Sequence, residues 1–276
     1  MGKKIAKIYI EGTIEKKNGT YNQEWLLKTI KTITDSKKFA AIIVYINSPG
    51  GAVYESDEVY LALKKFRETT ERPVYAYFAS LAASGGYYIG CSANKIFANR
   101  NTLTGSIGVI SGRFVDLSVL MKRYGIKSEI IHAGKNKTMG SMSEPATKEQ
   151  KAIMQSIADE CYEQFTSLVA ENRNLPIAAV KKLADGRIYT AKQAKEIGII
   201  DEIATFDECL KSITKELFDD EDLEPAVKEF KYKKKGTPLS SLLKDAGASS
   251  NAAYKIYQDL LGKTVSFPAF YWDGQF

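Results

Sequence analysis

The sequence predicts an α/β protein, and two observations carry that prediction. Near-continuous apolar runs, expected of strands covered on both faces of a sheet, alternate with segments whose apolar residues recur every three or four positions. The runs stop abruptly in turns rich in glycine, serine and asparagine, as when Ala41-Ile-Ile-Val-Tyr-Ile46 gives way to Asn47-Ser48-Pro49-Gly50-Gly51. Strand and helix signals in strict alternation describe a repeating β/α plan.

The elements follow in order. Ile5 to Ile10 alternates as a strand, and Trp25 to Ile33 has helical spacing with Leu26, Ile30 and Ile33 on one face. After the strand at Ala41–Ile46, Val53 to Phe66 is helical, and Pro73 introduces a second buried strand, Val74 to Ala79. Ala82-Ala83-Ser84-Gly85-Gly86-Tyr87-Tyr88-Ile89 opens a further helix, and Lys95 to Ala98 is the next strand. A short helix around Leu117 to Tyr124 and a strand from Ser128 to His132 are expected next. A long helix covers Thr147 to Glu171, with Ile153, Ile157, Cys161, Phe165 and Leu168 in register, and Pro176 ends it. Ile177–Ala184 and Ala191–Ile197 predict two shorter helices, and Ile199–Ile203 a closing strand.

Past Phe206 the texture changes. The acidic run Asp219-Asp220-Glu221-Asp222 precedes the basic run Lys231-Tyr232-Lys233-Lys234-Lys235 and a stretch rich in Ser, Ala and Gly. The expected organisation is therefore one catalytic-size domain over residues 1–210 and a linker and tail over 211–276. The tail ends in Phe267, Phe270, Tyr271, Trp272 and Phe276, too apolar to stay in water, so it is expected to dock in a groove or on an outer surface.

Composition narrows the chemistry. The 276 residues carry a net charge of +6 from interleaved charges, which does not make a nucleic-acid footprint. One histidine, His132, excludes a multi-histidine metal site, and three widely spaced cysteines form neither a zinc motif nor a disulfide framework. No metal or organic cofactor is expected. The apolar run through Ala40–Ile46 falls far short of the roughly 18 residues needed to span a bilayer, and Met1-Gly2-Lys3-Lys4 is followed by no signal-peptide core. A soluble, cytoplasmic protein is the expectation; the alternative is an extracytoplasmic domain whose membrane anchor lies outside this sequence.

Ser84 is the first candidate for chemistry. Small residues precede it and Gly85-Gly86 follow it, so it can occupy a sharp strand-to-helix corner whose first amides are unpaired. Close helix packing explains the same small residues. Gly50, at the end of a buried strand, is a second backbone donor; with the Gly85 amide it would hold a developing oxyanion, unless it belongs to an ordinary Pro-Gly turn. For the base, His132 in an apolar strand is a weak candidate. The loop Gly134-Lys135-Asn136-Lys137-Thr138-Met139-Gly140 offers two lysines, and a lysine can be a general base once desolvation lowers its pKa.

These motifs, taken with Thr104-Gly105-Ser106-Ile107-Gly108-Val109 and Ala184-Asp185-Gly186-Arg187-Ile188-Tyr189, closely resemble the signal peptide peptidase A (protease IV) family over about residues 4 to 210. The resemblance implies a ClpP/crotonase-like fold of stacked ββα units and an ATP-independent serine endopeptidase with a Ser-Lys dyad. It assigns Ser84 as nucleophile, Lys137 rather than Lys135 as base, Ser106 as the residue orienting the lysine, and Gly50 and Gly85 as oxyanion donors. It further implies extended, partly apolar peptides such as signal-peptide remnants or unfolded segments as substrates. A homo-oligomeric ring or dome also follows from it, sometimes with the lysine completing a neighbour's site. Two other readings share the fold: a crotonase-type acyl-CoA enzyme, which would need acidic catalytic residues, and a non-catalytic shell or scaffold protein.

Overall fold

A computed structural model describes residues 4–220 and 223–233, and the backbone of 269–271. Strand β1 (Lys4–Glu11) leads to helix α1 (Gln23–Asp35), strand β2 (Phe39–Ser48), the short strand β3 (Gly50–Ala52) and helix α2 (Val53–Thr70). Strand β4 (Val74–Ala83) runs into helix α3 (Gly85–Gly90), followed by β5 (Lys95–Ala98) and β6 (Leu103–Gly105). Then come α4 (Ser118–Arg123), the long α5 (Lys148–Arg173), α6 (Ile177–Leu183), β7 (Ile188–Thr190) and α7 (Ala191–Glu196). The described chain closes with β8 (Glu202–Ile203), α8 (Phe206–Phe218), β9 (Ala226–Phe230) and β10 (Ala269–Tyr271).

The central sheet has the order β7-β6-β4-β2-β1-β9, with β5 also on β4 and β8 on β5. Its pairings are parallel except β6 with β7. The period of two along a strand sorts its side chains between two cores. On one face Ile8, Val44, Ile46, Ala76 and Phe78 meet residues of α1, α2, α3 and α5; on the other Ile5, Ile43, Tyr75, Tyr77 and Phe97 meet Cys209 and Ile213 of α8. Both faces are covered, which is why the strands read as unbroken apolar runs.

Helix starts follow local chemistry. Asn22 caps α1 through its side chain, and capping boxes open α5 (Thr147 with Gln150), α7 (Thr190 with Gln193) and α8 (Thr205 with Glu208). At the far end of α1, the buried Arg72 guanidinium donates to the carbonyls of Thr34, Ser36 and Phe39 at 2.8, 2.7 and 2.9 Å. The Thr34 and Ser36 carbonyls at the helix end would otherwise be left without intrahelical partners, and the bond to Phe39 O ties that end to the start of β2.

Three expectations change. Residues 128–132 form no strand; Ile130 and Ile131 are exposed, Ile131 at 96%, because no neighbouring strand offers these residues a ladder. The closing strand shrinks to Glu202–Ile203, since Ile199 and Ile200 are buried in the core instead. The boundary at residue 210 falls inside α8, whose Cys209 and Ile213 pack on the sheet, and β9 pairs with β1 beyond it. The fold therefore extends to Phe230. Of the terminal aromatic cluster, the backbone of Phe270 and Tyr271 is described in β10, whereas Phe267, Trp272 and Phe276 lie outside the described residues.

Candidate active site

Two turns meet at the C-terminal ends of β2 and β4. The parallel pairing of these strands brings Ser48 opposite Ala82, so the Asn47–Gly51 turn lies beside the corner that Ser84 occupies. Ser84 has φ 53° and ψ −118°, a conformation that side chains other than glycine rarely adopt, and it stands immediately before α3. Strain of this kind persists only where the surroundings fix it. Here the Ser84 N–H donates to Gly105 O at 2.8 Å, its carbonyl accepts from Tyr88 N at 2.8 Å, and the Thr104 hydroxyl ties Ala82 O at 2.6 Å.

The glycines after Ser84 answer a steric demand. A Cβ on Gly86 would lie 3.1 Å from Ser48 O, and one on Gly90 would lie 2.5 Å from the Phe78 ring. Helix α3 thus packs directly on the β2 and β4 ends, with all six of its residues buried. Tyr87 and Tyr88 fasten it from inside, donating to Ile199 O at 2.9 Å and to Asp57 at 2.6 Å.

Ser84 itself is 1% exposed, and its Oγ has no hydrogen-bond partner among the described residues. A buried hydroxyl left unpaired costs about 1–3 kcal/mol, so its presence calls for a reason beyond packing. Ser106 sits on the adjoining β6 end, also buried and also at positive φ (49°), its N–H donating to Arg187 O at 2.8 Å. The pairing of Ala83 with Gly105 is what brings the two serines side by side.

The expected donors divide. Gly85 follows Ser84 as the first residue of α3. The Gly50 amide, however, donates to Ser48 Oγ at 3.1 Å, while that hydroxyl donates onward to Gly12 O at 2.6 Å. Gly50 is therefore engaged inside its own turn. Its successor is differently placed: Gly50 O accepts from Ile14 N at 2.8 Å and Ala52 N donates to Ile14 O at 2.7 Å, which by strand alternation turns the Gly51 N–H and C=O to the opposite edge. Sequence reasoning assigned no role to Ser48 or Gly51. The pair of adjacent glycines was the visible signal, but the choice between them depends on Ile14.

The base candidates are not at the corner. Lys137 is exposed in the loop after residue 132, its N–H bonded to Gly134 O at 3.1 Å, and it makes no hydrogen bond to Ser84 Oγ. Lys135 pairs with Glu149 at the surface. His132 is exposed, its Nδ1 3.1 Å from Gly134 O, rather than set in an apolar strand. Among the described residues no cluster of three metal-ligating side chains occurs, and no helix is long and apolar enough to cross a membrane.

A layered α/β sheet with a strained serine between a strand end and a short buried helix defines the ClpP-like class of folds, and the model of the Clp protease family matches residues 4–111. The model of peptidase family S49 matches residues 66–218, and the chain belongs to that family. Among curated relatives, "Putative protease slr0021" of Synechocystis is 41% identical over 74% of this chain and 70% of its own length. "Putative signal peptide peptidase SppA" of Enterococcus faecium is 37% identical over 78% of this chain and 64% of its own length. Of the solved structures, a point mutant of ClpP1 from Listeria monocytogenes aligns with a TM-score of 0.49 at 19% identity, covering 72% of this chain and 90% of that one.

Proposed function

We propose that the chain is an ATP-independent serine endopeptidase of extended, partly apolar peptides, with Ser84 as nucleophile and Lys137 as general base. The observation that carries this reading is the buried, unpartnered Ser84 Oγ on a strained corner. Neutral Lys137 takes the Ser84 hydroxyl proton as Oγ attacks the peptide carbonyl; the C–N bond then breaks and the proton passes to the leaving amine. Water, deprotonated by the same lysine, hydrolyses the acyl-serine ester. The oxyanion is held by the Gly85 amide and by that of Gly51, which replaces Gly50 because the latter serves Ser48. Ser106, beside Ser84, orients the lysine amine.

Lys137 reaches Ser84 in a homo-oligomer. The segment carrying it also exposes Val119, Leu120, Tyr124, Ile126 and Ile131, a density of apolar side chains suited to a second copy of this chain. Serine-directed fluorophosphonate labelling and cleavage of an unstructured peptide test the reading, with Ser84→Ala and Lys137→Ala as controls. Labelling that persists in Ser84→Ala overturns it. Mixing the two inactive variants distinguishes the source of the lysine: recovered cleavage means a neighbour's Lys137 serves Ser84, and none means a lysine from the same chain.

A further inference from the structure

The amides of Gly51 and Gly85 belong to different elements. Gly85 opens α3, which follows β4 of the central sheet, whereas Gly51 lies in β3, which is outside that sheet and runs directly into α2 at Val53. Two amides can share one oxygen only at a fixed separation, so something must hold α2 and α3 in register. At the β2 end of the turn Ser48 does so through the Gly50 amide. At the other end stands Tyr88. Its N–H donates to Ser84 O at 2.8 Å, and its buried hydroxyl donates to Asp57 Oδ1 on α2 at 2.6 Å. Gln164 of α5 closes the group, its Nε2 donating to Tyr88 Oη at 2.8 Å and lying 3.4 Å from Asp57 Oδ1. Asp57 is 57 − 51 = 6 residues beyond Gly51 and Tyr88 is 88 − 85 = 3 beyond Gly85. At 1.5 Å per helical residue both amides therefore lie within about two turns of a single hydrogen bond.

We propose that Tyr88 and Asp57 are positioning residues: their hydrogen bond clamps α3 to α2 and so sets the separation of the Gly85 and Gly51 amides. The catalytic consequence rests on the peptidase reading; the clamp rests on the geometry alone. A hydroxyl bound to a carboxylate makes a bond roughly twice as strong as one between neutral groups, which suits a tie between two helices. The ring of Tyr88 packs independently of its hydroxyl, with centroids 5.6 Å from Tyr60 on α2 and 5.0 Å from Phe165 on α5. Packing and clamping can therefore be separated by removing one oxygen atom. A displacement of about 1 Å at the reacting centre can cost up to about a hundredfold in rate, so a modest relaxation of the clamp is visible in kcat while ground-state binding, spread along the peptide, is little changed.

The test uses the full-length chain in three variants. Tyr88→Phe keeps the ring and deletes the donor, Asp57→Ala deletes the acceptor, and Asp57→Asn keeps an acceptor oxygen in place. Amide exchange in the segments 50–53 and 85–88 is expected to quicken by about threefold or more in the first two variants and to stay near the parent in the third. With a fluorogenic peptide, kcat is expected to fall about tenfold in Tyr88→Phe and Asp57→Ala with KM within about twofold of the parent, and Asp57→Asn is expected to recover most of the rate. Unchanged exchange in both disrupting variants overturns the clamp. Faster exchange with unchanged kcat, or a loss of kcat that Asp57→Asn does not rescue, overturns the positioning role. Should the parent chain cleave no peptide, the peptidase reading falls, and faster exchange in the disrupting variants then leaves the clamp standing without it.

Discussion

The Ser84 corner and the segment bearing Lys137 are built in opposite ways. Around Ser84 every backbone neighbour is fixed by the sheet, from the Gly105 carbonyl that accepts its N–H to the Ser48 hydroxyl that locks the adjacent turn. From Gly112 to Glu160 the chain holds no strand, the described residues are exposed or half-buried, and α5 buries side chains only from Phe165 onward. One half of the proposed dyad is thus prepared by the monomer's own fold. The other, Lys137, is exposed in its loop and makes no hydrogen bond to Ser84 Oγ.

The largest expected effect breaks the prepared half. Ser84→Ala should lower kcat/KM by about 10⁴-fold or more. It should also raise stability by about 1 kcal/mol, because it deletes an unpaired buried hydroxyl, and differential scanning calorimetry should show a Tm about 3 °C higher. A lower Tm would mean that the hydroxyl has a structural partner. Lys137→Ala should lower kcat by about 10²–10⁴-fold and leave the melting curve within about 0.5 kcal/mol of the parent, as befits an exposed side chain. A clear loss of stability there would erase the contrast between the two regions.

Gly51→Ala comes next, since its Cβ would meet the Ile14 backbone and no side-chain motion can relieve that. We expect a cost of about 1–3 kcal/mol in urea unfolding, with an activity loss of about 10²-fold from the displaced amide. Ser48→Ala leaves Gly12 O and Gly50 N without their shared hydroxyl and should cost about 1–3 kcal/mol, with Ser48→Thr restoring part of it. The smallest effect is chemical labelling. Burial pushes the Cys91 thiol up to about 12 and also raises Cys209, whereas Cys161 is half-buried on α5. With a disulfide reagent at pH 8, Cys161 should react first and the other two only in denaturant.

What the sequence disclosed follows the same division. The strands and the serine corner were legible because both signals are local: apolar runs in β2 and β4, then small residues where α3 must touch them. The part of helix α8 from residue 211 onward was assigned to the tail although Thr205 and Glu208 form a capping box and Phe206, Leu210, Ile213 and Leu217 fall at helical spacing. The charged runs that follow drew the boundary too early. The groove-facing glycine was not legible, because Ile14, 51 − 14 = 37 residues earlier, decides which amide of the pair turns outward. Ser128–His132 failed as a strand for a related reason: a strand signal is fulfilled only where another edge is within reach.

The pairing of β1 with β9 joins nearly the first described residues to nearly the last, Lys4 to Ala226 and Ile8 to Phe230. During synthesis β2 can cover one side of β1 early, but the other side has no strand until Phe230 has left the ribosome. At about 5–20 residues per second the nascent chain carries that bare edge for some tens of seconds at the slower rates. Lys7, which ends up among the rings of Tyr9, Tyr45 and Phe206 and paired to Glu229, then stands on the waiting strand as a charge. A lysine there discourages other chains from adding to the edge before its own last strand arrives.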